Sequence, residues 1–233
     1  MSPRTKPRAI FFDAGNTLLQ INYGAIVEQL GLRGIRLAPE TVAEAEYRAR
    51  VRLDPHLALG TSTESESVAG YYFRYLVEEL GITNPEIIGA VDRWRRSYNL
   101  PVGPWNQADP EAKDVLRRLR AERVVAGVIS NSNGSVQAIL EELGLAPSLD
   151  FILDSTVVGV AKPDPRIFRL ALEAARVSSE EAVHIGDLYS VDVLGARGAG
   201  LGAILLDPGG VWGDRDCPRA PSLGEAVVLA LGG

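Results

Sequence analysis

Five short apolar runs, each ending in polar or turn-forming residues, constrain this chain more tightly than any other feature: residues 8–13, 124–130, 151–154, 182–187 and 202–206. Most are almost continuously apolar instead of alternating, the pattern of parallel strands covered on both faces. Helical patterns separate the later runs. Asp109-Pro110 opens one that extends to about Ala121, a cap followed by proline. Val136, Ile139, Leu140 and Leu143 form the stripe of the next, with Gly144 as its stop. Asp164-Pro165 opens a third, with Ile167, Phe168, Ala171, Leu172 and Ala175 inward. Strand alternating with helix predicts an α/β fold built on a doubly wound parallel sheet, whose ligands bind beyond the carboxyl ends of the strands.

Residues 20–103 break that rhythm, since they carry helical patterns and no clear strand. Val42, Ala45, Ala49 and Leu53 share one helical face, and so do Val68, Tyr72, Leu76 and Leu80, stopped by Gly81. A further helix starts at Asn84-Pro85 and turns Ile87, Val91, Trp94 and Tyr98 inward. The aromatics of this block read as bundle core, and Arg48, Arg50 and Arg52 as a solvated helix face. The segment 207–221, rich in Gly and Pro, reads as a long surface loop.

At 233 residues, 46% of them hydrophobic, the chain can bury one good core and carry a smaller inserted unit. Its formal net charge of −6, with no basic stripe, argues against nucleic acid or an anionic membrane surface as a partner. The N-terminal stretch has no signal-peptide character, and no run is long enough to span a bilayer. The lone Cys217 can form no internal disulfide, which fits a cytoplasmic protein. Nothing in the chain fixes an oligomeric state.

The chemistry-bearing residues gather at the predicted strand ends. Asp13 follows the first run, Ser130 ends the second, and Asp187 ends the fourth. Two carboxylates at one edge of a sheet repel unless a cation joins them, and hard oxygen donors suit Mg²⁺. Ser130 offers a hydroxyl, Asn131 a backbone N–H, and Lys162, one of only three lysines, a fixed positive charge. His184, inside a buried strand, reads as structural.

Four segments in this order, Asp13-Ala14-Gly15-Asn16-Thr17, Ser130-Asn131-Ser132, Ala161-Lys162-Pro163-Asp164-Pro165 and Gly186-Asp187 with Asp192, resemble the four motifs of the haloacid dehalogenase-like (HAD) hydrolases, subfamily IA. The resemblance covers about the whole α/β part. It implies a Rossmann-like core over residues 1–19 and 104–233, with 20–103 as an inserted all-helical cap. Asp13 is then the nucleophile that forms an aspartyl-phosphate, with Thr17, Ser130 and Lys162 completing the catalytic set. Ser130, Asn131 and Lys162 hold the phosphoryl group. Asp13, the Gly15 carbonyl, Asp187 and Asp192 are the Mg²⁺ site. Thr17 can equally satisfy the turn that follows Asp13. Asp192 either caps the next helix or orients Lys162 and metal water.

One part of the pattern is missing. Phosphatases of this kind carry Asp-x-Asp-x-Thr, the second aspartate being the general acid/base, and here that residue is Gly15. Such help is worth roughly 10²–10⁴-fold in rate. Three consequences are open: a leaving group acidic enough to need no proton, an acid supplied by the cap (His56, Glu64 or Glu66), or a site that binds phosphate and turns over hardly at all. Phosphonoacetaldehyde hydrolase needs a cap lysine, which 20–103 lacks. The 2-haloacid dehalogenases need no metal and carry a different fourth motif. The expected function is a Mg²⁺-dependent hydrolase of a small phosphorylated metabolite, with a dehalogenase and a catalytically weak phosphate-binding or scaffolding protein as the alternatives. Specificity is expected from Ile21–Ala25 and the polar stretch Gly60–Ser67.

Overall fold

In the computed structural model, which describes residues 6–58 and 66–232 apart from the side chains at 66 and 67, the five apolar runs lie side by side in one parallel sheet. The chain enters through β1 (Ala9–Phe12) and β2 (Leu19–Gln20), then forms α1 (Tyr23–Gly31), α2 (Pro39–Ala58), α3 (Glu66–Glu79) and α4 (Pro85–Ser97). It returns through β3 (Gln107–Ala108), α5 (Ala112–Ala121), β4 (Val125–Ser130), α6 (Val136–Glu142) and β5 (Phe151–Asp154). The remainder is α7 (Ser155–Val158), α8 (Pro165–Ala175), β6 (Ala182–Gly186), α9 (Leu194–Gly198), β7 (Gly202–Leu206), β8 (Arg219–Ala220) and α10 (Leu223–Leu231).

The six-stranded sheet has the order β5-β4-β1-β6-β7-β8, all parallel. From β1 the chain winds outward in one direction through β4 and β5, and in the other through β6, β7 and β8. The switch between β1 and β6 opens a crevice at their carboxyl ends, which is where Asp13 and Asp187 stand. Strand alternation divides the core. Ile10 and Phe12 of β1 face the side packed by α5, α6 and α10, and Ala9 and Phe11 face the side packed by α8 and α9.

The helices from α1 to α4 bury a cluster of their own, in which Ile26, Val42, Leu53, Phe73 and Leu76 meet Val191 from the loop after β6. At the neck, where the chain leaves for this block and comes back, β2 and β3 pair as a short antiparallel ribbon that the apolar pattern did not foretell. Among the described residues no helix is long and apolar enough to cross a membrane.

The segment 207–221 is not simply a surface loop. The buried Asp207 carboxylate accepts the Val211 and Trp212 N–H groups and the Arg219 guanidinium, and Trp212 packs inward. That folded connection lets Arg219–Ala220 add to the sheet edge beside β7. Two residues of strand leave no periodicity to read.

The end of β6 carries a constraint that decides the site. Gly186 has ordinary backbone angles, but a Cβ there would collide with the Asp192 carboxylate folded back against the strand. A five-residue π-helical turn, Tyr189–Val193, brings that carboxylate round. Gly186→Ala should therefore destabilise the protein by about 1–3 kcal/mol, as overpacking of a filled site does. Urea denaturation measures it, and an unchanged midpoint would mean that Asp192 moves aside freely.

Candidate active site

Asp13, Ser130, Lys162 and Asp187 converge on one cavity at the carboxyl edge of the sheet. The Asp13 N–H is tied to the Ile185 carbonyl at 2.9 Å, which fixes the loop after β1 against β6. Lys162, in the turn before α8, is buried with its Nζ 2.6 Å from Asp13 Oδ1 and 2.7 Å from Asp192 Oδ1. Its backbone is clamped from both sides by one amide. Asn131 Nδ2 donates to the Lys162 carbonyl at 2.9 Å, and the Lys162 N–H donates to Asn131 Oδ1 at 2.7 Å. The side chain of Asn131, assigned no task by the motif, thus holds the lysine.

Asp192 orients Lys162. Its Oδ1 also accepts His184 Nε2 at 2.9 Å, and its Oδ2 accepts the Leu188 N–H at 3.0 Å. His184 is fully buried, edge-on to Phe168, and burial pushes its pKa down, so the ring is neutral and donates from Nε2. Burial alone would raise Asp192, but Lys162 and His184 outweigh it and hold the carboxyl below the usual range. Burial likewise opposes the charge on Lys162, and Asp13 with Asp192 more than restores it. Asp13 is pushed up by burial against the pull of Lys162, and Asp187 is pushed well up by burial against Arg50. Thr17 lies apart. It is buried outside the cavity lining, and its Oγ1 has no hydrogen-bond partner among the described residues.

The helical block reaches into this cluster through Arg50, which the sequence reading placed on a solvated face, and through residues around it. Arg50 is not on a solvated face: it is 3% exposed, forked onto Glu46 at 2.6 and 2.5 Å, with Nη1 3.4 Å from Asp187 Oδ2. Glu46 also accepts the Tyr72 hydroxyl, and the Tyr23 hydroxyl at 3.2 Å. One turn further on, Asp54 receives the Ser190 N–H and Oγ, each at 2.8 Å. Arg48 and Arg52, by contrast, pair with Glu78 and Glu79 on the exposed flank of α3. The missed signal was positional. Glu46, Arg50 and Asp54 each directly follow a member of the apolar stripe Ala45, Ala49, Leu53, which puts them on its edge.

Asn16 closes the cluster from the other side. It sits at φ +54°, a left-handed conformation that asparagine tolerates. Its Nδ2 donates to Asp187 Oδ2 at 3.1 Å, and its Oδ1 accepts Trp105 Nε1 at 3.1 Å. A Cβ on Gly15 would lie 3.4 Å from Trp105 Cδ1 and Nε1, so the indole covers the place of the missing side chain. Of the suggested replacement acids, His56 is stacked on Tyr71, bonded to the Tyr75 hydroxyl at 2.8 Å, and absent from the cavity wall. Glu64 and the side chain of Glu66 lie outside the described residues. So does most of Gly60–Ser67, while Ile21–Ala25 does not line the cavity.

The cavity holds about 290 Å³. One oxygen each from Asp13, Asp187 and Asp192 can be chosen within 4.8 Å of one another, a spacing that fits a bound cation. Four carboxyl groups, of Asp13, Asp187, Asp192 and Glu46, face only two cationic side chains here, Lys162 and Arg50. Oxygens of all three carboxylates already accept hydrogen bonds or face cations: Lys162 at Asp13 and Asp192, Leu188 N–H at Asp192, and Asn16 and Arg50 at Asp187.

Residues 7–200 match the family model of the haloacid dehalogenase-like hydrolases. The chain is 28% identical over 213 residues to bovine haloacid dehalogenase-like hydrolase domain-containing protein 3, covering 88% of this chain and 84% of that one. It is 31% identical over 208 residues to the glyceraldehyde 3-phosphate phosphatase of Pyrococcus furiosus, covering 87% and 81%. Among solved structures, the HAD-hydrolase YfnB from Bacillus subtilis bound to magnesium superposes with a TM-score of 0.64 at 22% identity, over 97% and 99% of the two chains.

The buried Glu46–Arg50 pair yields a stability prediction. Arg50→Met leaves two buried carboxylates without their cation and should cost about 3–5 kcal/mol. Adding Glu46→Gln should return a large part of that loss. Chemical denaturation of both variants checks it, and additive losses would contradict the ion-pair account.

Proposed function

The chain belongs to the haloacid dehalogenase-like hydrolases, and within that chemistry we propose that it is a Mg²⁺-dependent phosphatase of a small phosphorylated molecule, with Asp13 as nucleophile. The observation that carries this reading is the Asp13 carboxylate gripped through Oδ1 by a buried lysine, at the mouth of a cavity that also receives Ser130 and Asp187. Phosphatase relatives such as that of Pyrococcus furiosus support the substrate class.

Lys162 and Asn16 fix the two carboxylates before substrate arrives, so little reorganisation is left for the reaction itself. Asp13 attacks phosphorus with the oxygen that Lys162 does not hold. The Asp13–phosphorus bond forms as the bond to the leaving oxygen breaks, and water later cleaves the aspartyl-phosphate. Ser130, the Asn131 backbone and Lys162 receive the phosphoryl oxygens. Asp13, Asp187 and the Gly15 carbonyl would hold Mg²⁺, which when bound supplies charge neutralisation between anionic nucleophile and anionic substrate. Asp192 acts through Lys162 and contacts no substrate.

Proton transfer is the weak point. Among the described residues the acids on the cavity wall are Asp13, Asp187 and Asp192, and each already has another task. Water attack on the aspartyl-phosphate, which also needs a base, is expected to limit the steady state.

Hydrolysis of p-nitrophenyl phosphate tests the reading. A Mg²⁺-dependent steady rate is expected, preceded by a burst, with both lost by at least about 10³-fold in Asp13→Asn, as when a nucleophile is removed. Halide release from 2-chloropropionate without metal, and no phosphate release with it, would overturn the proposal in favour of dehalogenation.

A further inference from the structure

The wall opposite the carboxylates says what leaving group the site accepts. Beside the place where an acid would stand on the turn after β1 lies the edge of the Trp105 indole, 3.4 Å from the Gly15 Cβ position. That ring is held firmly: its Nε1 is bonded to Asn16, and its faces and edges meet Tyr72 and Phe73 at centroid distances of 5.7 and 6.3 Å. Leu53, Val68, Val102 and Ile139 continue the surface, and Leu100, 68% exposed, stands at the rim. Lys162 is the one cationic side chain on the wall among the described residues, and it is committed to the phosphoryl end. Several polar groups of the turn after β4 are engaged locally. Asn133 bonds the Pro101 carbonyl and the Ser135 N–H and hydroxyl, and the Ser132 backbone is paired with Ser155 and Thr156.

Among the described residues such a wall offers little to a second phosphate, a carboxylate or a polyol, whose buried polar groups would go unpaired there. It does offer apolar side chains to a ring. We infer that the substrate is an aryl phosphate monoester whose leaving group departs as the phenolate, with the apolar wall around Trp105 packing against the ring and no general acid beside it. This inference rests on the phosphatase reading above. The bond that breaks is phosphorus to aryl oxygen, the electron pair leaves on that oxygen, and no proton is needed in the step. A phenol ionises at about pH 10, as tyrosine does. An alkoxide is nearly as basic as hydroxide, whose parent water ionises at about 15.7, and it departs poorly without a proton.

The experiment is kcat/KM for the wild-type enzyme in Mg²⁺, which reports bond cleavage even if dephosphorylation limits kcat. The substrates are substituted phenyl phosphates of graded leaving-group acidity, 2-cyclohexylethyl phosphate as an alkyl ester of similar bulk, and acetyl phosphate as a small acyl phosphate with an acidic leaving group. The phenyl series should fall steeply as the leaving group becomes more basic. It should exceed the alkyl ester by about 10²-fold or more, the help a general acid would give. Trp105→Leu should lower the ratio of kcat/KM for phenyl phosphate to that for acetyl phosphate about tenfold. Equal rates on the alkyl ester, or a flat dependence on acidity, would overturn the inference while the phosphatase reading stands. Acetyl phosphate preferred over every phenyl ester would remove the aromatic part. Inertness toward all of them, acetyl phosphate included, would overturn both.

Discussion

A lysine ammonium buried between two aspartates is the interaction on which the rest of this molecule turns. Removing Lys162, Asp13 and Asp192 from water costs several kcal/mol per ion, and only close pairing offsets it. The pairing joins three separate parts of the fold: the loop after β1, the turn before α8 and the π-helical turn after β6. Each must be placed to a fraction of an ångström. That requirement explains the amide clamp of Asn131 on the lysine backbone, the histidine behind Asp192, and the glycine at the end of β6, where any side chain would push the carboxylate away.

The helical block takes part in this electrostatic arrangement and does more than cover the site. Arg50 brings a positive charge to Asp187 from a helix otherwise outside the sheet, and Glu46 keeps that charge from being surplus. Asp54 then secures the loop that carries Asp187 and Asp192 by receiving the Ser190 backbone. Motion of α2 relative to the sheet must therefore alter the field at Asp187.

Much of this was readable in the sequence, and the limits of the reading are physical. Strands buried on both faces write themselves as apolar runs, so β1, β4, β5, β6 and β7 were legible, and with them the residues at their ends: Asp13, Ser130, Asp187. Lys162 stood out by rarity and by its proline-flanked turn. Residues whose position depends on tertiary contact were not legible. Trp105 meets Asn16 across 89 residues, and nothing local marks either as a partner. Arg50 looked like any helix arginine, because a buried ion pair and a solvated one have the same spacing. The two-residue β8 had too little length to show a period. Asp192 showed two roles in sequence and in the structure serves Lys162.

The distances along the chain between bonded groups have a consequence for how the protein comes to be made. Lys162 lies 149 residues from Asp13, Asp187 lies 171 from Asn16, and Ser190 lies 136 from Asp54. Contacts of such separation form late, since the loops they close must be ordered first. A chain emerging from the ribosome exposes α2 long before β6 exists to receive it. Glu46 and Arg50 are four residues apart on that helix and neutralise each other as soon as it winds. The nascent helix thus carries its most costly pair already matched, while Asp54 and the contact of Arg50 with Asp187 wait for the last third of the chain.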